Sequence, residues 1–156
     1  MRQTVRTPEL DLIARALVTT SRALVGVSLR SLAASPVEVT LPQHRALVLL
    51  ASRGARTIGA IATELGVDQS NASRLVDRLV RLGLVERRPS AADGRAVEVV
   101  VVAAGRRVLD AVTSARHEEI AGLLEELTPA ERRALVRGVV AFNRVAGEVE
   151  EAHWTG

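Results

Sequence analysis

The feature that most constrains this chain is a change of hydrophobic period between residues 57 and 102. Ile58, Ile61, Ala62 and Leu65 recur at helical spacing. Gly66 follows, and glycine tolerates the positive φ at which helices stop. After Val67, Asp68 is a natural N-cap. Ala72, Leu75, Val76 and Leu79 then form the apolar stripe of a second helix, Gln69 to Leu82, which Gly83 ends. Helix, tight glycine-containing turn, helix is the helix-turn-helix pattern. The period then falls to two. Leu84 to Arg88 reads as a strand, Ser90 to Arg95 as a turn, and Val97 to Val102 as a β-branched return strand. A hairpin directly behind the second helix is a wing.

Long helices flank this unit. Thr7-Pro8-Glu9 is an N-cap with proline at the first helical position, and Leu10, Ile13, Ala14, Leu17, Leu24 and Val25 follow on a helix that should stop near Ser35-Pro36. Thr40 with Gln43 reads as a capping box for a helix reaching Gly54. Behind the wing, Gly105 to about Leu127 is helical. Thr128-Pro129-Ala130-Glu131 caps a last helix striped by Leu135, Val139, Phe142 and Val145. The fold expected is mainly α: a winged helix-turn-helix with a two-stranded β-hairpin wing, flanked by N- and C-terminal dimerisation helices. Residues 38–102 are assigned to DNA binding. Residues 7–35 and 104–150 are assigned to dimerisation, because they carry more apolar surface than one small winged helix covers.

Composition narrows the chemistry. With 156 residues and 47% hydrophobic content, the chain has material for a core, and that core is aliphatic: Phe142 and Trp154 are the only aromatic residues. No cysteine is present, which excludes disulfides, thiolate metal sites and thiol nucleophiles. The start of the sequence has no secretory-leader pattern, and no charge-free apolar run of 18 residues reads as a membrane span, so a cytoplasmic protein is expected. All 21 basic residues are Arg. Residues 1–52 carry 6 Arg and 3 acids, residues 53–95 carry 8 and 5, and residues 96–156 carry 7 and 10. A basic front and an acidic rear suit an anionic partner for the first two segments. Histidine occurs only at 44, 117 and 153, without metal-ligand spacing, and no phosphate loop or nucleophile elbow occurs. No enzyme activity, metal or cofactor is expected.

The helix from Gln69 has a polar outer side made of Gln69, Ser70, Asn71, Ser73, Arg74, Asp77, Arg78 and Arg81. At the N-terminus of a recognition helix such residues meet base edges: Gln and Asn suit adenine, Arg suits guanine, and Ser suits either. Any amphipathic helix also has a solvated face, and it is the adjoining wing that favours DNA. Arg87, Arg88 and Arg95 flank the hairpin. They suit the minor groove or its phosphates, or equally serve as charges guarding a sheet edge. Asp93 either orients Arg95 or is a plain turn residue.

The stretch from Thr57 to Gly105 resembles the MarR family of transcriptional regulators. The matching pieces are Ser70, Ser73-Arg74-Leu75-Val76-Asp77-Arg78-Leu79, Gly83-Leu84-Val85-Glu86-Arg87 and Asp93-Gly94-Arg95. Gln43 and Leu127 to Arg132 extend the likeness over nearly the whole chain. There are two departures. Gly94 stands where the family usually has a larger, often basic residue, which implies a more mobile wing tip. Val102-Ala103-Ala104-Gly105 lacks the usual threonine N-cap. The resemblance implies a homodimer on a pseudo-palindromic double-stranded DNA operator. It also implies a repressor released by a small, often phenolic, molecule in a cleft between the dimer helices and the winged helix. It identifies no pocket residues here. The competing reading is a winged helix that serves only protein interaction or assembly.

Overall fold

The computed structural model describes residues 7–90 and 94–149. Among them are six helices, α1 (Pro8–Ser31), α2 (Leu41–Arg53), α3 (Ile58–Leu65), α4 (Gln69–Arg81), α5 (Ala103–Glu125) and α6 (Pro129–Ala146). The strands are β1 (Arg56–Thr57), β2 (Val85–Pro89) and β3 (Val97–Val101). A short 3-10 turn, Leu32–Ala34, ends α1 before the pre-proline residue Ser35 takes an extended conformation.

The expected caps form. Thr40 and Gln43 make a complete capping box at α2, as do Thr128 and Glu131 at α6. Gly66 closes α3 with φ 67°. α5 begins two residues before Gly105, and its N-cap, Val102, makes no side-chain bond, as the missing threonine implies.

The wing hairpin pairs antiparallel, with Val85 opposite Val101 and Pro89 opposite Val97. Pro89 lies on the edge strand, where its missing N–H costs no ladder bond. The two-stranded wing forms as expected and is joined by a third strand, in the order β1-β3-β2, because Arg56 and Thr57 pair with Val99 and Glu98. A two-residue strand has no period to read, and its pairing is decided by a segment some forty residues away.

One aliphatic core joins α2 (Ala46, Leu47, Leu50), α3 (Ile61), α4 (Ala72, Val76, Leu79), the sheet (Leu84, Val85, Val99) and α5 (Val108, Leu109, Val112). α1 buries only Val27 and Ser31, and Arg30 near its end donates to Glu119 of α5 at 2.8 Å. α1 and the 3-10 turn together are long and apolar enough, by length and composition, to cross a membrane, although Arg15 and Arg22 interrupt the stretch. α6 buries no residue. Leu10, Ile13 and Leu24 of α1, and Val136, Val139 and Phe142 of α6, are left on the surface of the protomer.

Candidate nucleic-acid interface

α4 is positioned by its buried face. Ala72, Val76 and Leu79 are fully enclosed and Leu75 packs against the same core, so the opposite side must face outward. Gln69, Ser70, Asn71, Arg74, Arg78 and Arg81 are exposed there. Ser73 and Asp77 are half-buried at the margin. Gln69, Ser70, Ser73 and Arg74 line a shallow hollow at the start of the helix.

The first turn of α4 holds a closed ring of side-chain hydrogen bonds. Ser70 Oγ donates to Asp68 Oδ1 at 2.7 Å, and Asn71 Nδ2 donates to Asp68 Oδ2 at 2.5 Å. Arg74 Nη2 donates to Ser70 Oγ at 3.2 Å and to Asn71 Oδ1 at 3.0 Å. Asp68 also accepts from the Asn71 backbone N–H at 2.8 Å as the helix cap. The Ser70 hydroxyl, followed by the Asn71 backbone N–H, holds the Asp68 carboxyl below its ordinary pKa.

The wing is tied down at two places. Arg87 Nη2 donates to Asp77 Oδ1 of α4 at 2.7 Å. At the far end, Ser90 donates from its backbone to Ala96 O at 2.8 Å and from Oγ to Glu98 Oε1 at 2.9 Å. Arg88 pairs with Glu86 along its own strand at 3.2 Å. Arg95 is exposed beyond the sheet. Asp93, expected either to orient Arg95 or to serve the turn, lies outside the described residues.

The structure thus brings Ser70, Asn71 and Arg74 together on one turn, with Gln69 and Ser73 beside them. It puts Arg87 and Arg88 in ion pairs with Asp77 and Glu86. Sequence reasoning missed two residues. The sequence marks Asp68 only as a cap; Ser and Asn two and three residues later are the available signal for a wider network. The helical period places Asp77 among the outward residues, and ten positions separate it from Arg87 across a helix and a strand. Among the described residues, no cluster of three His, Cys, Asp or Glu is placed to hold a metal ion.

A recognition-type helix beside a three-stranded sheet with a basic hairpin defines a winged helix-turn-helix protein. The model of the MarR family matches residues 38–96. The HTH-type transcriptional regulator YfiV of Bacillus subtilis is 30% identical over 108 residues, covering 69% of this chain and 68% of that protein. The crystal structure of RV1404 from Mycobacterium tuberculosis superposes with a TM-score of 0.84 at 39% identity, covering 93% of this chain and 99% of that one. A MarR family protein from Bacillus stearothermophilus, at 23% identity, shares the fold with a TM-score of 0.79 over 93% of this chain and 100% of its own. The chain belongs to the MarR family, whose members are helix-turn-helix regulators of transcription.

Proposed function

We propose that the chain is a dimeric, operator-specific DNA-binding repressor that acts in the cytoplasm and is released by a small molecule. The observation that carries this reading is the polar outer side of α4, where Ser70, Asn71 and Arg74 are exposed and already hydrogen-bonded to one another beside a basic wing. Gln69, Ser73 and Arg78 extend that side, and Arg95 extends the contact along the wing. Two recognition helices about one helical turn apart would read a pseudo-palindromic site. The interaction-module reading is disfavoured because the readers on α4 are polar, whereas protein-binding surfaces rely on aromatic and other buried anchors.

Residues 38–102 are the DNA-binding unit in this reading, and residues 7–35 and 104–150 the dimerisation unit. The support is the apolar surface of α1 and α6, including Phe142 at 52% exposure, on helices that bury almost nothing in one protomer. A cavity of about 300 Å³ lies where α1, α2 and α5 meet, with Ser28, His44, Val48, Thr113 and Arg116 in its walls. Its volume is at the lower end of small-molecule sites and its walls, which include Arg45 and Glu148, are mostly polar, which suits a small polar effector.

The test is selection of bound fragments from genomic DNA, followed by mobility shifts across a salt series. Enrichment of a dyad-symmetric sequence, bound by a species of twice the 16.6 kDa chain mass in light scattering, is expected. Uniform binding to all fragments, or a monomer at micromolar concentration, overturns the reading.

A further inference from the structure

The hydrogen-bond ring at the start of α4 restricts what Asn71 offers to DNA. A carboxamide has a donor end and an acceptor end and in general can be turned over. Here it cannot be. An ionised carboxylate only accepts and a guanidinium only donates, so Nδ2 must face Asp68 and Oδ1 must face Arg74. Each end keeps capacity after these bonds: one N–H on Nδ2 and one lone pair on Oδ1. That is the pair needed to donate to adenine N7 and accept from adenine N6. Ser70 is fixed in the same way, since its hydroxyl proton goes to Asp68 and its oxygen accepts from Arg74.

We propose that Asp68 is a specificity-determining positioning residue, which fixes the orientation of the Asn71 amide and so selects one of the base pairs that α4 reads in each half-site. The inference rests on the reading of α4 as a DNA-recognition helix. Asp68 does not itself supply a base contact. It acts through Asn71, and its carboxylate stays ionised because the Ser70 hydroxyl and the Asn71 backbone N–H favour the charged form. Side chains ordered before binding do not lose that rotamer freedom on the DNA, and a wrongly ordered donor or acceptor rejects the other bases. Asp68 therefore contributes to discrimination at one position rather than to affinity in general. Removing its negative charge should slightly raise binding to random DNA, whose phosphates repel it.

Asp68→Ser separates this role from helix capping, because serine is an equally good N-cap but has no second oxygen for Asn71 Nδ2. The base preferences of the wild type, Asp68→Ser, Asn71→Ala and the double variant are measured by selection from a randomised operator library, with thermal unfolding run in parallel. The expected result for Asp68→Ser is a wild-type melting curve and a loss of about tenfold in preference, confined to one base pair per half-site. The double variant should lose no more than Asn71→Ala alone. An Asp68→Ser profile equal to the wild type, or an effect that persists undiminished in the Asn71→Ala background, overturns the proposal while the DNA-reading function stands. A wild type without any base preference overturns both.

Discussion

Arg87 of β2 donates to the Asp77 carboxylate of α4 at 2.7 Å, so the wing and the recognition helix are joined by an ion pair as well as through the core. Both side chains are substantially solvated, and such pairs contribute about 0–1 kcal/mol to stability. The consequence to look for is therefore wing orientation rather than folding. Asp77→Ala should leave the melting temperature nearly unchanged and lower operator affinity severalfold. If Arg87 instead served chiefly as a phosphate contact, removing Asp77 would release it and raise affinity. Parallel titrations of Asp77→Ala and Arg87→Ala distinguish the two outcomes.

Arg74 uses Nη2 for Ser70 and Asn71, and its Nη1 and Nε lie on different edges of the guanidinium, so each offers a base a single charge-assisted bond. Arg74→Ala should weaken operator binding by about 1.5–3 kcal/mol while changing random-sequence binding less. An equal loss on both DNAs would move Arg74 to the phosphate contacts.

Arg95 is exposed beyond β3 at the wing. Arg95→Ala should weaken operator binding and leave folding intact. With one phosphate contact per wing in a dimer, the slope of log affinity against log salt should shrink by about 2. Identical affinity and slope in the two proteins would make the wing structural only.

Gly105, in the first turn of α5, is packed so closely on the chain at Leu84 that a Cβ would overlap the Leu84 carbonyl oxygen and crowd Val101 Cγ1. The obstacle is largely backbone and cannot step aside. Gly105→Ala should cost at least about 1–3 kcal/mol in denaturant unfolding. Gly59→Ala is the control: among the described residues, nothing beyond the adjoining chain of its own helix lies within 4 Å of its Cβ position, and alanine should stabilise α3 by up to about 1 kcal/mol.

His44 is 2% exposed, and its Nε2 has no hydrogen-bond partner among the described residues. Burial first, then the charges of Arg116 and Arg45, lower its pKa from 6.5 to about 4. The unfolded chain then binds a proton more readily than the folded one between those values. Stability is full above pH 6.5 and declines as pH falls toward 4, by about 3 kcal/mol for this group. Urea midpoints across that range should fall more steeply for the wild type than for His44→Gln. Parallel curves would exclude His44 as the source of the decline.

The local rules carried by single segments were legible in the sequence. Thr40 with Gln43 and Thr128 with Glu131 specify helix starts within four residues, and Gly66 specifies a stop through its own backbone freedom. Ala72, Val76 and Leu79 specify which side of α4 is buried, and so which side carries Gln69, Asn71 and Arg74 outward. Tertiary structure decided what depends on meetings between distant segments. Arg56 and Thr57 become a strand only because β3 supplies a hydrogen-bonding edge. Arg87 turns toward Asp77 only once β2 lies beside α4. The Asp68 ring lies between these cases: its residues are neighbours in sequence, but its closure needs the rotamers that one turn of helix imposes. Spacing encodes periodicity and caps because both are satisfied within a few residues. It does not encode pairings whose partners are brought together by the core, since chain separation carries no information about distance after folding.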